Sequence, residues 1–303
     1  MNGSAKTFRA LLRLMRPEQV PTAAADSAAG AVVVLHVFGR EQPLAAGAVI
    51  VASLLLYAGG MVFNDLAHVE RDRRLHPDRP LPSGNVSPSS AFMLGAVLFV
   101  LGLISAGVAG WTALMVAAAV ASGILLYNYG AATHTFFGPV LMALLRSGNF
   151  VLGLSAAGMA GIQWQPGVVL AVFVGLHILF VTLVSVLEER PRATFALKAY
   201  AICDAVTLVT LAVFLLWIPP GGQLVWWMMP AGFLPLLVYL AWLYQGVNGA
   251  LNNPSASTIG RVVGTGVQGL ILIHATIVAV LGQPMKGAAL LLLFVPMLIA
   301  RYT

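Results

Sequence analysis

Long apolar runs, separated by short connections rich in Gly, Pro or charge, make up most of the chain. A helix needs about 20 residues to cross the hydrocarbon core of a bilayer, and most of the runs approach this length. They predict membrane-spanning helices at residues 21–38, 44–63, 90–107, 111–129, 137–157, 168–187, 199–218, 225–244, 259–281 and 287–299. Because the last run is short, the pattern is compatible with nine or ten spans.

The continuity of these runs decides the fold class. Only helices and closed barrels satisfy their backbone hydrogen bonds within lipid. Barrel strands alternate apolar and polar residues over about ten positions, whereas the runs here are apolar at nearly every position. The sequence therefore predicts an all-α fold, a polytopic membrane helical bundle that forms a single domain over residues 1–303. The polar region 245–260 is predicted to be a loop between two spans.

The first 17 residues have a different pattern, in which apolar and basic residues each recur at helical spacing. The apolar set is Phe8, Leu11, Leu12 and Met15, and the basic set is Lys6, Arg9, Arg13 and Arg16. Such a segment is predicted to form an amphipathic helix on the membrane surface. A mitochondrial transit peptide, which is also basic and poor in acidic residues, is the alternative.

Composition agrees with an integral membrane protein, since 59% of the residues are hydrophobic and only 9% are charged. The net charge of +6 does not indicate nucleic-acid binding, because the basic residues stand at the ends of the apolar runs and form no basic face. Their distribution predicts a cytoplasmic N-terminus. The membrane that we expect is the plasma membrane of a bacterium. The single cysteine, Cys203, excludes a disulfide within the chain.

One polar stretch, residues 64–84, interrupts this apolar sequence. It holds four of the ten acidic residues together with four arginines. These are Asp65, Glu70, Asp72 and Asp78, with Arg71, Arg73, Arg74 and Arg79. If the second helix continues into the stretch, Asn64, His68 and Asp72 share one helix face and Asp65 lies beside them.

A second acidic helix end, at Glu188 and Glu189, follows the sixth predicted span and meets the same side of the membrane. Two acidic helix ends at one surface are what a divalent-metal site for a diphosphate requires, because Mg²⁺ binds carboxylates, phosphate oxygens and water. The alternative is a pair of solvated helix ends whose acids pair with neighbouring arginines. The rigid run at 79–84, Arg-Pro-Leu-Pro-Ser-Gly, has no obvious role in solubility and favours the metal site.

Several ionisable residues fall within the predicted spans, where a charge costs about 2.5–3.5 kcal/mol at the helix centre. They are Asp26, Arg146, His177, Asp204 and His274. We expect all of them to face the interior of the bundle. We predict a site role for Arg146 and for Asn149 one turn further along, structural positions for the two histidines, and buried donors as partners of the two aspartates.

The polar stretch resembles a known family. Asn64-Asp65, Asp72 and the run at 79–84 are similar to the first signature of the UbiA superfamily of intramembrane prenyltransferases. Weaker similarities are Arg16-Pro17, Tyr127 at the end of span four, Gly148-Asn149 with Gly153, and the acidic motif after span six. Residues similar to UbiA-like proteins of the EboC type are Gly138, Pro139, Met142, Arg146, Asn149, Leu152 and Gly153.

The resemblance implies that the protein transfers an isoprenyl group from a prenyl diphosphate to a small aromatic or cyclic acceptor, with Mg²⁺ as cofactor. The implied metal ligands are Asn64, Asp65, Asp72, Glu188 and Glu189. The implied substrate contacts are Asn64, His68, Arg79, Arg146 and Asn149, of which the two arginines bind the diphosphate. Asp65, Asp72 and Tyr127 are the implied catalytic residues, and the Tyr127 ring would face an allylic cation.

Three departures from the family pattern leave a second function open. His68 replaces an aspartate, Glu188-Glu189-Arg190 replaces a motif that usually has aspartates, and alanines at 131 and 132 replace a common lysine. A UbiA-like protein that binds or transports a lipid or small metabolite is therefore the alternative function. A secondary transporter would need broken helices near the membrane midplane, and the surface position of the acidic motifs does not favour it.

Overall fold

The computed structural model describes residues 3–189, 194–218 and 229–300. Within these ranges every regular element is helical, as the apolar pattern predicts. The α-helices, numbered in chain order, are α1 Gly3–Leu14, α2 Val20–Val37, α3 Pro43–Ala67, α4 Val69–Leu75, α5 Pro88–Ala109, α6 Trp111–Leu126, α7 Phe137–Leu154, α8 Met159–Gln163, α9 Gln165–Ser185, α10 Thr194–Trp217, α11 Met229–Gly232, α12 Leu234–Asn252, α13 Ala256–Val280, α14 Pro284–Leu290 and α15 Phe294–Ala300.

In the described ranges, nine helical segments are long and apolar enough to cross a membrane. They are formed by α2, α3, α5, α6 with a π-helical turn, α7 with a 3-10 turn, α9, α10, α11 with α12, and α13. The predicted all-α membrane bundle is confirmed. The tenth predicted run forms the shorter segment Pro284–Ile299, which a 3-10 turn at Leu291–Leu293 interrupts. The structure therefore favours nine spans.

The loop predicted at 245–260 is wrong. Helix α12 continues to Asn252 and α13 begins at Ala256, so only three residues separate the two helices. In this part of α12, Val247 and Ala250 are buried. The polar residues Gln245, Asn248 and Asn252 lie on the exposed side of the same helix. The side chain of Ser255 caps α13 by accepting a hydrogen bond from the backbone N–H of Thr258. A polar exposed face was thus mistaken for a loop.

Helices α2 and α13 lie at the centre of the bundle. In the most apolar 18-residue stretch of each, 72% of the residues are buried, against 28% for the spans built on α6 and α12. Helices α2 and α7 cross closely at Gly30 and Gly153. A Cβ atom at either glycine would collide with the backbone of the other helix, as at other close crossings of membrane helices. Asn149 Nδ2 and Ser53 Oγ both donate to the carbonyl of Ala23 at 2.9 Å, which ties α7 and α3 to α2.

One end of the bundle includes α1, α4 and the connection 76–87, which together carry ten of the 26 charged residues of the chain; we call it the polar end. Helix α1 packs against this end through Ala10 and Leu14, which share an apolar cluster with Leu81 of the connection. Phe8 and Leu12 point away from the bundle and are 63% and 41% exposed. They are the α1 residues available to a membrane surface, where the sequence predicts this helix to lie.

Candidate functional site

The C-terminus of α3 lies at the polar end of the bundle and carries the first residues of the predicted motif. Helix α3 stops at Ala67, and His68 leaves the helical conformation with φ −109° and ψ 15°. Two backbone hydrogen bonds nevertheless cross this break, from His68 N–H to the Asn64 carbonyl and from Asp72 N–H to the His68 carbonyl. The chain therefore keeps its helical path into α4. Asn64, His68 and Asp72 line one cavity, as their spacing predicts.

This cavity, which we call the rim cavity, encloses about 500 Å³ of empty space including its open mouth. Its lining residues are Arg16, Asn64, His68, Arg71, Asp72, Leu75, His76 and Arg79. Three of them are arginines and one is a carboxylate, so the charge of the lining is positive. Guanidinium groups bind phosphate oxygens through paired hydrogen bonds. The rim cavity is therefore suited to an anion that carries several oxygens.

Both aspartates of the first motif are buried and paired with arginines. Asp72 Oδ2 lies 2.6 Å from Arg79 Nη1, and Asp65 Oδ1 lies 2.6 Å from Arg16 Nη2. Asp72 lines the rim cavity, whereas Asp65 is turned toward Arg16 and does not. Arg16 has a φ of 48°, a left-handed conformation that non-glycine residues adopt at a cost and that recurs at ligand sites.

The connection 76–87 holds Arg79 in a compact turn. Ser83 N–H donates to the Arg79 carbonyl at 3.0 Å, and Val86 N–H donates to the Pro80 carbonyl at 3.1 Å. Gly84 adopts a φ of 75°, which favours glycine at this position. Two prolines and these hydrogen bonds restrict the turn, so Arg79 is positioned with little conformational freedom to lose on binding.

His68 enters the rim cavity as a neutral ring. Burial, and after it the charge of Arg71, lower the pKa of His68 below its usual value of 6.5. At pH 7 the imidazole therefore keeps one nitrogen lone pair, which can accept a hydrogen bond or ligate a metal.

A second cavity, which we call the apolar cavity, lies between α3, α6 and α7 and encloses about 540 Å³ of empty space including its mouth. Its lining residues are Ser53, Leu56, Tyr57, Gly60, Met61, Val120, Ile124, Tyr127, Asn128, Met142, Leu145, Arg146 and Asn149. The π-helical turn Tyr127–Ala131 places Tyr127 and Asn128 in its wall. Asn64 Nδ2 donates to Asn128 Oδ1 at 3.1 Å, so one hydrogen bond joins the walls of the two cavities.

Arg146 and Asn149 line the apolar cavity and not the rim cavity, so the structure separates Arg146 from Arg79. The sequence prediction that both arginines contact one diphosphate stays a prediction, since the two side chains line different cavities. Arg146 is 6% exposed, and its Nε lies 3.1 Å from Oδ2 of the fully buried Asp26. Asn149 Nδ2 donates to the same Asp26 oxygen at 3.1 Å. The interior aspartate thus has buried donors, as predicted.

Comparisons with known proteins agree with this architecture. The model of the UbiA prenyltransferase family matches residues 27–262. The chain belongs to this family. The digeranylgeranylglyceryl phosphate synthase of Halobacterium salinarum is 37% identical over 153 residues, which are 50% of this chain and 55% of that protein. The corresponding synthase of Methanoculleus marisnigri is 34% identical over 155 residues, 50% of this chain and 53% of that protein. The chain spans about half the length of these curated relatives.

Solved structures of UbiA-family members share the fold. A digeranylgeranylglyceryl phosphate synthase superposes with a TM-score of 0.61 at 19% identity, over 91% of this chain and 99% of that one. A UbiA homologue from Archaeoglobus fulgidus, bound to GPP and Mg²⁺, superposes with a TM-score of 0.58 at 18% identity, over 88% of this chain and 99% of that one. At these identities the likeness shows the fold alone.

The second acidic motif of this UbiA-family chain is only partly described. Glu188 and Glu189 end a 3-10 turn, Val186–Glu189, that follows α9. Their side chains, and the whole of Arg190, lie outside the described part of the structure. Among the side chains that are described, no group of three or more His, Cys, Asp or Glu residues comes together. The predicted metal ligands Glu188 and Glu189 therefore stay a prediction.

Two polar residues of the apolar cavity were missed by sequence reasoning. Tyr57 and Asn128 interrupt predicted spans and line this cavity together with the predicted Tyr127. Asn128 donates to the Gly60 carbonyl at 3.0 Å and accepts from Asn64, so it connects the first motif to the membrane interior. A polar residue within an apolar run was the available signal, because such residues usually face the bundle interior.

Proposed function

We propose that this UbiA-family protein transfers an isoprenyl group from a prenyl diphosphate to a small aromatic or cyclic acceptor. The observation that carries the proposal is the pairing of the two cavities. A rim cavity lined by three arginines adjoins a largely apolar cavity, and Asn64 and Asn128 join their walls by a hydrogen bond. A diphosphate in the first and an isoprenyl chain in the second would match the polar and apolar parts of one donor.

The residues at the rim fit a divalent cation. Asn64 donates through Nδ2, which leaves its amide oxygen for a metal, and Asp72 pairs with Arg79 through Oδ2, which leaves Oδ1. These are the hard oxygen ligands that Mg²⁺ prefers. Asn64 and Asp72, with Glu188 and Glu189 from the second motif, would hold the ion. Asp65, the remaining predicted ligand, pairs with Arg16 and does not line the rim cavity in this structure. Bound Mg²⁺ would neutralise charge on the diphosphate as it leaves. The UbiA homologue of Archaeoglobus fulgidus solved with GPP and Mg²⁺ supports Mg²⁺ as the ion.

The chain's own residues supply the remaining chemistry. The bond between the allylic carbon and the diphosphate oxygen breaks, a bond to the acceptor forms, and the acceptor releases a proton. Arg16, Arg71 and Arg79 line the place where negative charge grows on the diphosphate, and guanidinium groups stabilise that charge. In the wall of the apolar cavity, the Tyr127 ring offers an electron-rich face to the allylic cation. Such a contact contributes about 0.5–2 kcal/mol.

Turnover of a prenyl diphosphate tests the proposal. We expect the purified protein, in nanodiscs with Mg²⁺, to bind prenyl diphosphates of five to twenty carbons and to release diphosphate once a suitable acceptor is added. Chelation of the metal with EDTA should abolish turnover. The experiment measures donor binding by calorimetry and diphosphate release by a coupled assay. If no donor binds, with or without the metal, the proposal is wrong.

Binding without turnover is the second candidate function, and one observation favours it. Each described carboxylate of the first motif is already paired with an arginine at 2.6 Å, and His68 is a weaker ligand for Mg²⁺ than an aspartate. A protein that holds an anionic lipid through arginines alone needs no metal. Donor binding that is unchanged by EDTA, with no diphosphate release under any acceptor, would identify this function.

His68→Asp should shift the metal preference of the protein. The substitution places a second carboxylate, beside Asp72, on the face that both share with Asn64, so the site gains a hard ligand and loses a nitrogen. We expect Mg²⁺ to support donor binding at roughly tenfold lower concentration in the variant, while the wild-type protein responds better to Mn²⁺ or Zn²⁺ than to Mg²⁺. Metal titrations at fixed donor concentration measure both. His76→Asp, at another position of the same cavity, is the matched control. Equal metal profiles for the wild-type protein and His68→Asp would remove His68 from the metal site.

A further inference from the structure

The guanidinium of Arg146 is buried with too few partners. Its Nε lies 3.1 Å from Asp26 Oδ2, and its Nη2 is buried without a hydrogen-bond partner among the described residues. The ring of Tyr57 lies 5.8 Å from Arg146 Cζ and offers only a cation–π contact. An unpaired buried donor on a charged group is costly, and an arginine has five N–H groups to satisfy. Arg146 therefore has hydrogen-bonding capacity that the described protein does not use.

Asp26 does not use up that capacity, because neither Nε nor Nη2 of Arg146 forms a hydrogen bond with it, although Nε lies close to Oδ2 and Asp26 Oδ1 also has no hydrogen-bond partner among the described residues. Asn149 Nδ2 donates to Asp26 Oδ2 at 3.1 Å, and His274 Nε2 lies 3.3 Å from Asp26 Oδ1. His274 Nδ1 lies 2.5 Å from the Leu270 carbonyl, which only accepts, so Nδ1 carries a proton. With its proton on Nδ1, a neutral His274 ring has a lone pair at Nε2 and donates nothing to Asp26. The carboxylate therefore accepts a hydrogen bond from Asn149 and lies beside Arg146 Nε. The N–H groups of Arg146 that have no partner among the described residues therefore remain available to a ligand.

The residues around Arg146 indicate what kind of ligand could bind its guanidinium group. Arg146 and Asn149 stand in the wall of the apolar cavity, whose other lining surface is largely apolar and includes Leu56, Val120 and Leu145. A molecule with an apolar body and one oxyanion matches such a cavity. The diphosphate of the donor has separate arginines, Arg16, Arg71 and Arg79, in the rim cavity.

We propose that Arg146 binds an oxyanion, a carboxylate or a phosphate, on the acceptor substrate within the apolar cavity. The inference rests on the proposed function, in which the rim cavity holds the donor's diphosphate. Asn149 positions the guanidinium indirectly, because it shares Asp26 with Arg146. Arg146 is thereby a specificity residue for the acceptor and not a contact of the donor's diphosphate, which has its own arginines in the rim cavity.

Matched amphiphiles test the inference. We would titrate octyl phosphate, octanoate and octanol into the full-length protein in nanodiscs of zwitterionic lipid. At least one of the two anions should bind about tenfold more tightly than octanol, as one charge-assisted interaction in a dry cavity predicts. Preference for octyl phosphate indicates a phosphate-bearing acceptor, and preference for octanoate a carboxylate-bearing one. Equal binding of all three probes would overturn the inference.

Substitutions assign the effect to Arg146. Arg146→Gln should remove the preference for the anions, and Asp26→Asn should strengthen anion binding severalfold because the competing carboxylate is gone. The double variant Asp26→Asn/Arg146→Gln loses both charges together, so a loss of anion preference there does not reflect an unpaired buried charge. An anion preference that survives in the double variant contradicts the inference.

Geranyl diphosphate binding, measured on the same samples, separates this inference from the proposed function. Arg146→Gln should change the donor affinity far less than Arg79→Gln, which should lower the donor affinity and keep the anion preference. If the donor binds normally but the anions do not, the acceptor assignment alone is wrong. If the donor fails to bind the wild-type protein, the proposed function itself is wrong.

Discussion

Asp72→Asn should lower the rate of diphosphate release by at least about 100-fold, the usual cost of removing one group that stabilises charge in a transition state. Asp72 is 5% exposed, lines the rim cavity and is held by Arg79 at 2.6 Å. Asparagine has nearly the same shape, so the substitution removes the negative charge without opening a cavity. Arg79 then loses the carboxylate that positions it. Diphosphate release under saturating donor, with Mg²⁺ present, measures the effect.

Glu70→Gln is the matched control for this substitution. Glu70 lies on the same short helix and forms an ion pair with Arg73 at 2.6 Å, but its side chain is 73% exposed. Exposed pairs contribute at most about 1 kcal/mol, and Glu70 does not line the rim cavity. We expect this variant to retain the wild-type rate. Equal rates for the Asp72→Asn variant and the wild-type protein would remove the first motif from the catalytic site.

Local periodicity was sufficient to predict part of the site. Asn64, His68 and Asp72 are four residues apart, and side chains at this spacing meet on one helix face. The two backbone hydrogen bonds across His68 preserve that spacing through the end of α3. Apolar runs predicted the helices for a similar reason, since a span is recognised from about 20 consecutive apolar residues, which is local information.

Contacts between distant helices could not be read from the sequence. Arg146 lies a few turns below a helix end in the chain, and nothing in the local pattern distinguishes the rim cavity from the apolar cavity. Its placement depends on Asp26 in α2, and the two helices meet closely because Gly30 and Gly153 allow it. Asp26 was correctly expected to be paired. Its partners could be identified only from the packing of α2 against α7 and α13, which the structure shows.

His177 and Asp204 form the second buried ion pair of the described core, and they join four helices. His177 Nδ1 lies 2.8 Å from Asp204 Oδ1, and His177 Nε2 lies 2.9 Å from the Gly266 carbonyl. A carbonyl only accepts, so Nε2 carries a proton and the ring is oriented by two acceptors. Tyr239 OH lies 3.4 Å from Asp204 Oδ2. These contacts connect α9, α10, α12 and α13, as expected of interior residues with structural positions.

Asp204→Ala should therefore destabilise the protein by about 3–5 kcal/mol, the cost of leaving one member of a buried pair alone. His177 and Tyr239 would both lose their shared acceptor in a region where side chains are fully buried. Unfolding in increasing SDS within mixed micelles, followed by circular dichroism, measures the change. Thr210→Ala is the matched control, because Thr210 lies on the same helix, is exposed and bonds only to its own helix backbone.

A double variant distinguishes the ion pair from simple loss of packing. His177→Phe/Asp204→Leu replaces both members by apolar side chains, and such replacements are often neutral when the volume is similar. We expect it to be clearly more stable than Asp204→Ala alone. If the double variant is instead less stable than the single one, packing of the four helices and not the unpaired imidazole determines the loss. The pair would then contribute through the volume of its side chains, and its charge would be incidental to the stability of α9, the helix that leads into the second acidic motif.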